Sequence, residues 1–522
     1  MSRFPKIAFA AIFGVLSFTS LSSASPRMSP LVVAIPGPLS GCDALHPNLS
    51  ESNQLLLDLT RPSAFVTSVQ GSFRGEGGAI LSAELASLNP QVVTYSLDTA
   101  LRWSNGRRFS SADLIAWWHH GRSAATVQSE GYRDITSMTT SNNGSVVTAT
   151  FASPFSAWPL LFRDVEQSHV TAHSCSLTQL LREPSLGPYR LESLSSNHAV
   201  LVSNTHWTAS SNRLPRVVVT TSQVTPNEPA VYAAYYPVIS ASLLNTLSNH
   251  PTFASHIGAT DVIEELQYAP HRALTDTATL RHAWSDFIDR TALLRSLYGD
   301  ITLTPLAATS TLFAQNEFGS ALTTTTSPNS GVACLSCAHA LLRAAGFEER
   351  AGQWQLHGRG VSLVLVRGPS GTDGRTAARL VTQWRHRGLR VTVATMKTEE
   401  AASRTVATNQ ADVAVFERPV GVSPWLASTG ALGLRQSDAF SLGVTVPGVI
   451  TADAAALADF NPVTAAAKWS VVDQAFRASG YIFPLFTPPS VTAWTTNVQN
   501  IAPSLSELGL LDQITNWGTS SG

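Results

Sequence analysis

Charge is scarce in this chain: Asp, Glu, Lys and Arg together make up 13% of its 522 residues. A solvated, disordered polymer needs far more charge and far fewer than the 44% hydrophobic residues found here, so the class is globular. Neither sign dominates, with 34 basic residues against 35 acidic ones. Without a basic excess there is no footprint for neutralising a phosphate backbone, and nucleic acid is excluded as a partner. Past the first two dozen residues, no uninterrupted apolar run approaches the roughly 20 residues that cross a bilayer. Catalytic signatures are missing too. There is no Gly-x-Ser-x-Gly elbow. The loop Gly368-Pro369-Ser370-Gly371-Thr372-Asp373-Gly374 lacks the Lys-Ser/Thr of a phosphate cradle and the spacing of a dinucleotide fingerprint. It reads as a plain crossover between a strand and a helix. His119 and His120 are adjacent, so on a helix they point to different faces and make no metal pair. With no nucleophile-and-base arrangement, the expectation is a protein without catalysis, cofactor or metal.

What is present points outward from the cell. Arg3 and Lys6 precede a mostly apolar stretch from Ile7 to Leu21, and Ser22-Ser23-Ala24 follow with the small side chains a signal peptidase accepts. Residues 1–24 read as a signal peptide, and the remainder as a chain peripheral to the membrane. Leu39-Ser40-Gly41-Cys42 matches the short motif at which lipoproteins are cut and acylated. Such a Cys should follow the export segment directly, whereas Pro26, Arg27, Pro30, Pro36 and Pro38 intervene. Acylation and disulfide formation both stay open for Cys42. Only four cysteines occur, and an even count in an exported chain permits two bridges. Proximity pairs Cys334 with Cys337, leaving Cys42 for Cys175. The stretch from Cys334 to His339 lacks a fourth ligand for zinc. A redox Cys-x-x-Cys should stand at a helix start beside a thiol-oxidoreductase βαβ unit, a context the sequence does not offer.

At this length two or three packed units are expected. Leu31 to Ile35 reads as a buried strand, and Ser50 to Leu59 as a helix with a hydroxyl cap. Gln91 to Leu97 alternates as a strand does. Trp103-Ser104-Asn105-Gly106 supplies a turn, and Ser110 with Asp113 has the form of a capping box before a helix. Val146 to Phe151 is a strand, and the strand starting in Gly187 to Leu191 pairs with Ala199 to Val202 as a hairpin. The apolar stripe from Leu280 to Leu294 predicts one helix, and Ala338 to Ala345 another, stopped by Gly346. Val361–Val366, Thr376–Arg387 and Leu389–Ala394 form a βαβ unit, with Val413 to Phe416 as a further buried strand.

In this order the segments resemble the extracellular solute-binding proteins of family 5, the peptide and nickel importer type. The resemblance rests on Leu101-Arg102-Trp103-Ser104-Asn105-Gly106 with Phe109-Ser110 and Asp113; on Gly187-Pro188-Tyr189 with Asn204 and Trp207; and on Leu280-Arg281-His282-Ala283 with Phe287-Ile288-Asp289-Arg290. It rests also on Leu341 to Phe347 with Trp354, and on Ile482 to Phe486 with Trp517. It implies an α/β, two-lobed periplasmic-binding-protein-like fold of type II, in the large cluster with an extra small domain. The lobes would be discontinuous: 31–66, 187–266 and 485–522 in the first, 67–186 in the small domain, and 267–484 in the second. It further implies a monomeric receptor that closes on a peptide or other small solute and delivers it to the permease of an ABC importer.

For the ligand contacts, the resemblance selects Glu51 and Asn53 near the first helix and Glu417, Arg418 and Trp425 after the strand at Val413. Peptide binders of the family carry an Asp just before the position of Ser423-Pro424, and this chain does not. Glu417 is the candidate substitute for holding an ammonium group. Arg418 would either pair with Glu417 or meet an anion, and Trp425 would either stack on a ligand or plug the core between the lobes. Gly41-Cys42 with His46-Pro47, Gly131-Tyr132-Arg133, and Pro154, Ala157 and Trp158 are similar to an actinobacterial branch of the family. Some members of that branch look like regulators of cell-wall lipoglycan assembly, which keeps a non-transport scaffold open as a second reading.

Overall fold

The β-branched run at the start of the described chain builds the middle of a sheet. In the computed structural model, Leu31–Ala34 pairs in parallel with Arg216–Thr220 on one side and Tyr232–Tyr236 on the other. The described residues are 30–46, 49–67, 73–75, 78–124, 126, 128–170, 175–207, 214–221, 232–236, 239, 241–299, 307–313, 331–421, 423–432, 440–501 and 517–519. The export segment 1–24 lies outside them.

Seven strands make this first sheet, in the order Phe253–Ala259, Pro489–Thr495, Tyr232–Tyr236, Leu31–Ala34, Arg216–Thr220, His198–Ser203, Tyr189–Leu194. Helix Glu51–Thr60 supplies Leu55, Leu56 and Leu59 to the core beside it, and the Ser50 side chain caps it by accepting from the Asn53 amide. A mature chain starting at Cys42 would lose the central strand. Cys42 is instead fully buried and bonded to Cys175. Gly41 sits against the backbone of Ser176, where a Cβ would come within 2.5 Å of a carbonyl carbon, so glycine is required for this close approach.

A four-stranded antiparallel sheet, in the order Ile80–Leu88, Gln91–Leu97, Val146–Phe151, Ile135–Ser141, forms a small unit whose buried core continues into Trp425, Trp469 and Phe476. Its helix Ser111–Ser123 starts at the expected capping box, with Asp113 accepting from the Ser110 amide at 3.0 Å.

The third main sheet has five strands in the order Arg390–Thr395, Ser362–Arg367, Val413–Pro419, Val262–Tyr268, Ile482–Phe486. The first three run parallel and are closed by helices Gly371–His386 and Glu399–Ala407. The helix expected at Thr376 starts five residues earlier, because Ser370 and Asp373 form a second capping box. The single helix expected from Leu280 to Leu294 is two, Ala278–Asp286 and Arg290–Tyr298. The break comes at Asp289, whose carboxylate accepts from the Ala292 amide at 2.7 Å and starts the second helix afresh. The Cys334–Cys337 bridge stands at the first turn of helix Leu335–Ala344, three residues earlier than the helix start read from Ala338.

Candidate ligand cleft between the two sheets

The seven-stranded and five-stranded sheets are joined by two adjacent crossings. The chain passes from Ala259 to Val262 through Thr260 and Asp261, and returns from Phe486 to Pro489 through Thr487 and Pro488. The Pro488 carbonyl accepts from the Thr260 amide at 3.4 Å and from the Thr260 hydroxyl at 2.9 Å, while the Asp261 carbonyl accepts from the Val420 amide at 2.9 Å. Two short extended links, bonded to each other and buried, form a hinge rather than a flexible tether.

The edge of the five-stranded sheet that meets this hinge is the one where its parallel strands end. Val262 stands opposite Pro419, and Glu264 opposite Phe486. In open α/β sheets, ligands bind in the crevice outside the carboxyl ends of the strands. Four of the five candidate residues from the sequence need comparison with this edge, and alternation along the strands decides where two of them go.

Glu417 and Arg418 are consecutive on one strand, so they leave the sheet on opposite faces and cannot pair with each other. Arg418 lies 2% exposed and forks onto Glu265, with both nitrogen–oxygen distances 2.9 Å; it also donates to the Thr311 carbonyl at 2.6 Å. Thr311 in turn donates to Asp473 through its amide at 2.6 Å and its hydroxyl at 2.7 Å, and Arg477 pairs with the other oxygen of Asp473 at 2.9 Å. The guanidinium of Arg418 is spent inside the lobe, where it pins the segment 308–313 beneath the cleft edge.

The opposite face is acidic. Glu264 and Glu417 stand directly across from each other on neighbouring strands, and Asp373 and Glu399 approach from the starts of the two helices. Burial pushes the Glu264 carboxyl well above its ordinary range, and the nearby charges of Asp373 and Glu417 push it further. Burial, reinforced by Asp373, raises Glu417 to about 7; hydroxyls of Thr372 and Ser370 act against the rise. Asp373 and Glu399 are raised by burial as well. Burial favours the protonated form of each carboxyl on this face, and Glu417 gains its charge as pH rises through about 7. A phosphate cradle at Gly368–Gly374 is incompatible with these surroundings: the helix start is closed by its own box, and carboxylates crowd it.

Trp425 opens helix Pro424–Leu432 and is 2% exposed. Its ring meets Phe155 of the small unit edge-on, with centroids 4.9 Å apart, and next to it the Ser156 amide donates to the Leu457 carbonyl at 2.7 Å. Trp425 thus belongs to the apolar core it shares with Phe155. Asn53 is fully buried and clamps the N-terminal segment, its amide oxygen accepting from the Ser40 amide at 3.0 Å and its nitrogen donating to the Ser40 hydroxyl at 2.6 Å. Glu51 begins the helix beside it, and its side chain lies outside the described residues. Of the candidates whose side chains are described, Glu417 combines half-burial with a place on the hinge-facing edge.

Sequence reasoning missed Glu264, Glu265, Asp373 and Asp473. A signal existed for the first two: adjacent carboxylates flanked by Val262, Ile263 and Leu266 in the strand Val262–Tyr268 demand partners. Among the described residues, the one grouping of three side chains able to hold a metal is Cys42, His46 and Cys175, and both of its thiols are spent in the disulfide. No described helix is long and apolar enough to cross a membrane.

Comparison with known proteins places this geometry in a wider set. The model of the bacterial extracellular solute-binding proteins, family 5, matches residues 79–431. The oligopeptide-binding protein OppA of Mycobacterium bovis is 24% identical over 297 residues, covering 51% of this chain and 47% of OppA. The chain thus spans about half the length of the curated relative it matches. A probable monoacyl phosphatidylinositol tetramannoside-binding protein of Mycobacterium tuberculosis, LpqW, is 27% identical over 130 residues, covering 24% of this chain and 20% of LpqW. The solved structure of the periplasmic EDTA-binding protein EppA superposes with a TM-score of 0.83 at 20% identity, covering 95% of this chain and 97% of EppA, which establishes the two-lobed fold.

Proposed function

The chain belongs to the bacterial extracellular solute-binding proteins of family 5, and from that premise we propose that it is the capture receptor of an ABC importer. It takes up a peptide or other small solute outside the cytoplasmic membrane by closing its second lobe over the first. The observation that carries this reading is the bonded double crossing at Thr260 and Pro488, with the carboxyl edge of the second sheet turned toward it. A hinge of this kind couples binding to closure, and the importer then recognises the closed form. The ligand can shift that population only by its differential affinity for the two states.

The chemistry of the edge favours a solute with a cationic group. Glu417 at its rim, backed by Glu264, Asp373 and Glu399, supplies negative potential as these carboxyls lose protons. Arg418 is neutralised on the far face by Glu265, while the charge of Arg367 beside Asp373, and Arg375, which acts with Glu264 and Glu417 on Tyr298, offset part of this potential. Amine-bearing ligands gain from this arrangement, and anionic ones meet repulsion.

Thermal melts of the chain lacking residues 1–24, against pools of peptides, sugars and metal chelates, test the proposal. A ligand that binds only the folded state raises the melting temperature by mass action, and the largest rise is expected in the amine-bearing pools. A flat response across every pool would reject the receptor reading.

The second reading, a regulatory scaffold of cell-envelope lipoglycan synthesis on the same fold, draws on the likeness to LpqW and on the buried aromatic contact between Phe155 and Trp425. Capture from solubilised membranes discriminates between the two: recovery of a permease supports transport, and recovery of a cell-wall glycosyltransferase supports the scaffold.

A further inference from the structure

The two disulfides of this chain are built for different purposes. Cys42–Cys175 joins residues 133 apart; Cys42 is fully buried, Cys175 is exposed, and the bridge closes a loop of most of the first third of the chain. Cys334–Cys337 joins residues 3 apart. The restraint a bridge places on the unfolded chain grows with the loop it closes, so the second bridge contributes little to holding the fold. Its surroundings suit another use. Cys334 is the N-cap of the ten-residue helix Leu335–Ala344, and its sulfur accepts from the Cys337 amide at 3.3 Å. Cys337 is exposed and Cys334 half-buried, which leaves the outer sulfur open to attack. Behind them Ala338 and Leu342 anchor the helix in the core with Trp284, Phe287 and Trp354.

We propose that Cys334–Cys337 is a thiol–disulfide exchange site that reacts with small thiols, while Cys42–Cys175 is a permanent staple. A small-molecule thiolate attacks the exposed Cys337 sulfur, a new sulfur–sulfur bond forms, and the Cys334–Cys337 bond breaks. Cys334 departs as a thiolate. The helix N-terminus and the Cys337 amide already aimed at its sulfur stabilise that charge, and a better-stabilised leaving thiolate leaves faster. A second small thiol then attacks its counterpart in the mixed disulfide and releases Cys337. Overall, two small thiols are oxidised to their disulfide, the protein pair is reduced by two electrons, and the two protons end on the protein thiols. The reverse exchange, with a small-molecule disulfide as oxidant, restores the bridge. Since the cap interaction needs only the Cys334 sulfur and the Cys337 amide, the helix survives reduction and the cycle is reversible.

The experiment incubates the full chain in a graded series of reduced and oxidised glutathione. The mixture is quenched in acid, free thiols are alkylated, and the four cysteines are read by peptide mass spectrometry, with circular dichroism confirming the fold. Cys334 and Cys337 should become labelled at a thiol concentration at least about tenfold lower than Cys42 and Cys175 require. In the Cys337→Ser variant, the free Cys334 thiol should be alkylated with a midpoint pH below the value of about 8.5 typical of unperturbed cysteine. Reduction of both bridges together, reduction of Cys334–Cys337 only as the fold is lost, or a Cys334 midpoint at or above the ordinary value would each overturn the proposal.

Discussion

The small unit has two borders, and they are made of different materials. Against the first lobe it is held by directional polar contacts. Gln54 donates to Asp164 at 2.8 Å, Arg163 pairs with Asp58 at 2.9 Å, and the Ala64 and Val165 amides bond the Phe162 and Pro62 carbonyls at 2.9 Å each. The backbone there is held in the left-handed region at Phe162 and Asp164, with φ of 58° and 52°, a conformation that persists only where surrounding contacts over-determine it. Against the second lobe the border is largely apolar, with Phe155 on Trp425 and a backbone bond from Ser156 to Leu457. Parting the first border would orphan buried polar groups, and parting the second would expose the apolar core that Phe155 and Trp425 share.

Mutations on the two borders sharpen this contrast. The largest effect is expected on the apolar side, from Trp425→Ala, with about 3 kcal/mol expected from the lost aromatic packing. Its distinguishing consequence is a larger radius of gyration in small-angle scattering, since it loosens the apolar border.

Next comes the polar side. Arg61 is 2% exposed, pairs with Glu183 at 2.5 Å and donates to the Pro184 carbonyl at 2.7 Å. Arg61→Ala removes a buried guanidinium and leaves the half-buried Glu183 with its Gln179 bond alone, and should lower urea-unfolding stability by about 2–3 kcal/mol; a loss under about 1 kcal/mol would show that this side is not held by its polar contacts. This variant should leave the relation between the lobes as it was. If the two variants exchanged these signatures, the roles of the two borders would be reversed.

A third test uses pH. Burial, with the charge of Asp58 beside it, raises the Asp164 carboxyl to about 7. A group whose folded value is raised holds its proton more firmly in the folded state, so stability is greatest below the ordinary carboxyl range and falls as pH rises toward 7. Glu417, also at about 7, adds a decline of the same sign. Asp164→Asn should flatten the fall between pH 4 and pH 7 by roughly 1–2 kcal/mol in chemical denaturation; an unchanged slope counts against a protonated Asp164. The smallest effect belongs to Arg350→Ala, away from both borders. Its pair with Glu348 is exposed, and its loss should change stability by less than about 0.5 kcal/mol.

What was legible in the sequence was local. The alternation of Gln91–Leu97, the capping box at Ser110 and Asp113, and the hairpin from Tyr189 to Val202 each carry their pattern within a dozen or so residues. The candidate site was legible only in part, because its chemistry is settled by partners far along the chain. Arg418 finds Glu265 across a separation of 153 residues, so neither the Glu417 pair nor an anionic ligand, both plausible from neighbouring letters, describes its contacts. Asn53 carries the amide suited to a ligand contact, yet the fold folds Ser40 back onto it. The break at Asp289 was hidden for another reason: the apolar stripe continues through two successive helices, and only the cap residue marks where one stops.

Closure over a solute is the claim on which the rest depends. Small-angle scattering of the chain lacking residues 1–24, with and without the solute that gives the largest thermal shift, tests it most directly. The radius of gyration should fall on addition of the solute as the second lobe swings about Thr260 and Pro488, and Trp425→Ala should weaken that response. A radius that stays the same while the solute is bound would contradict the account.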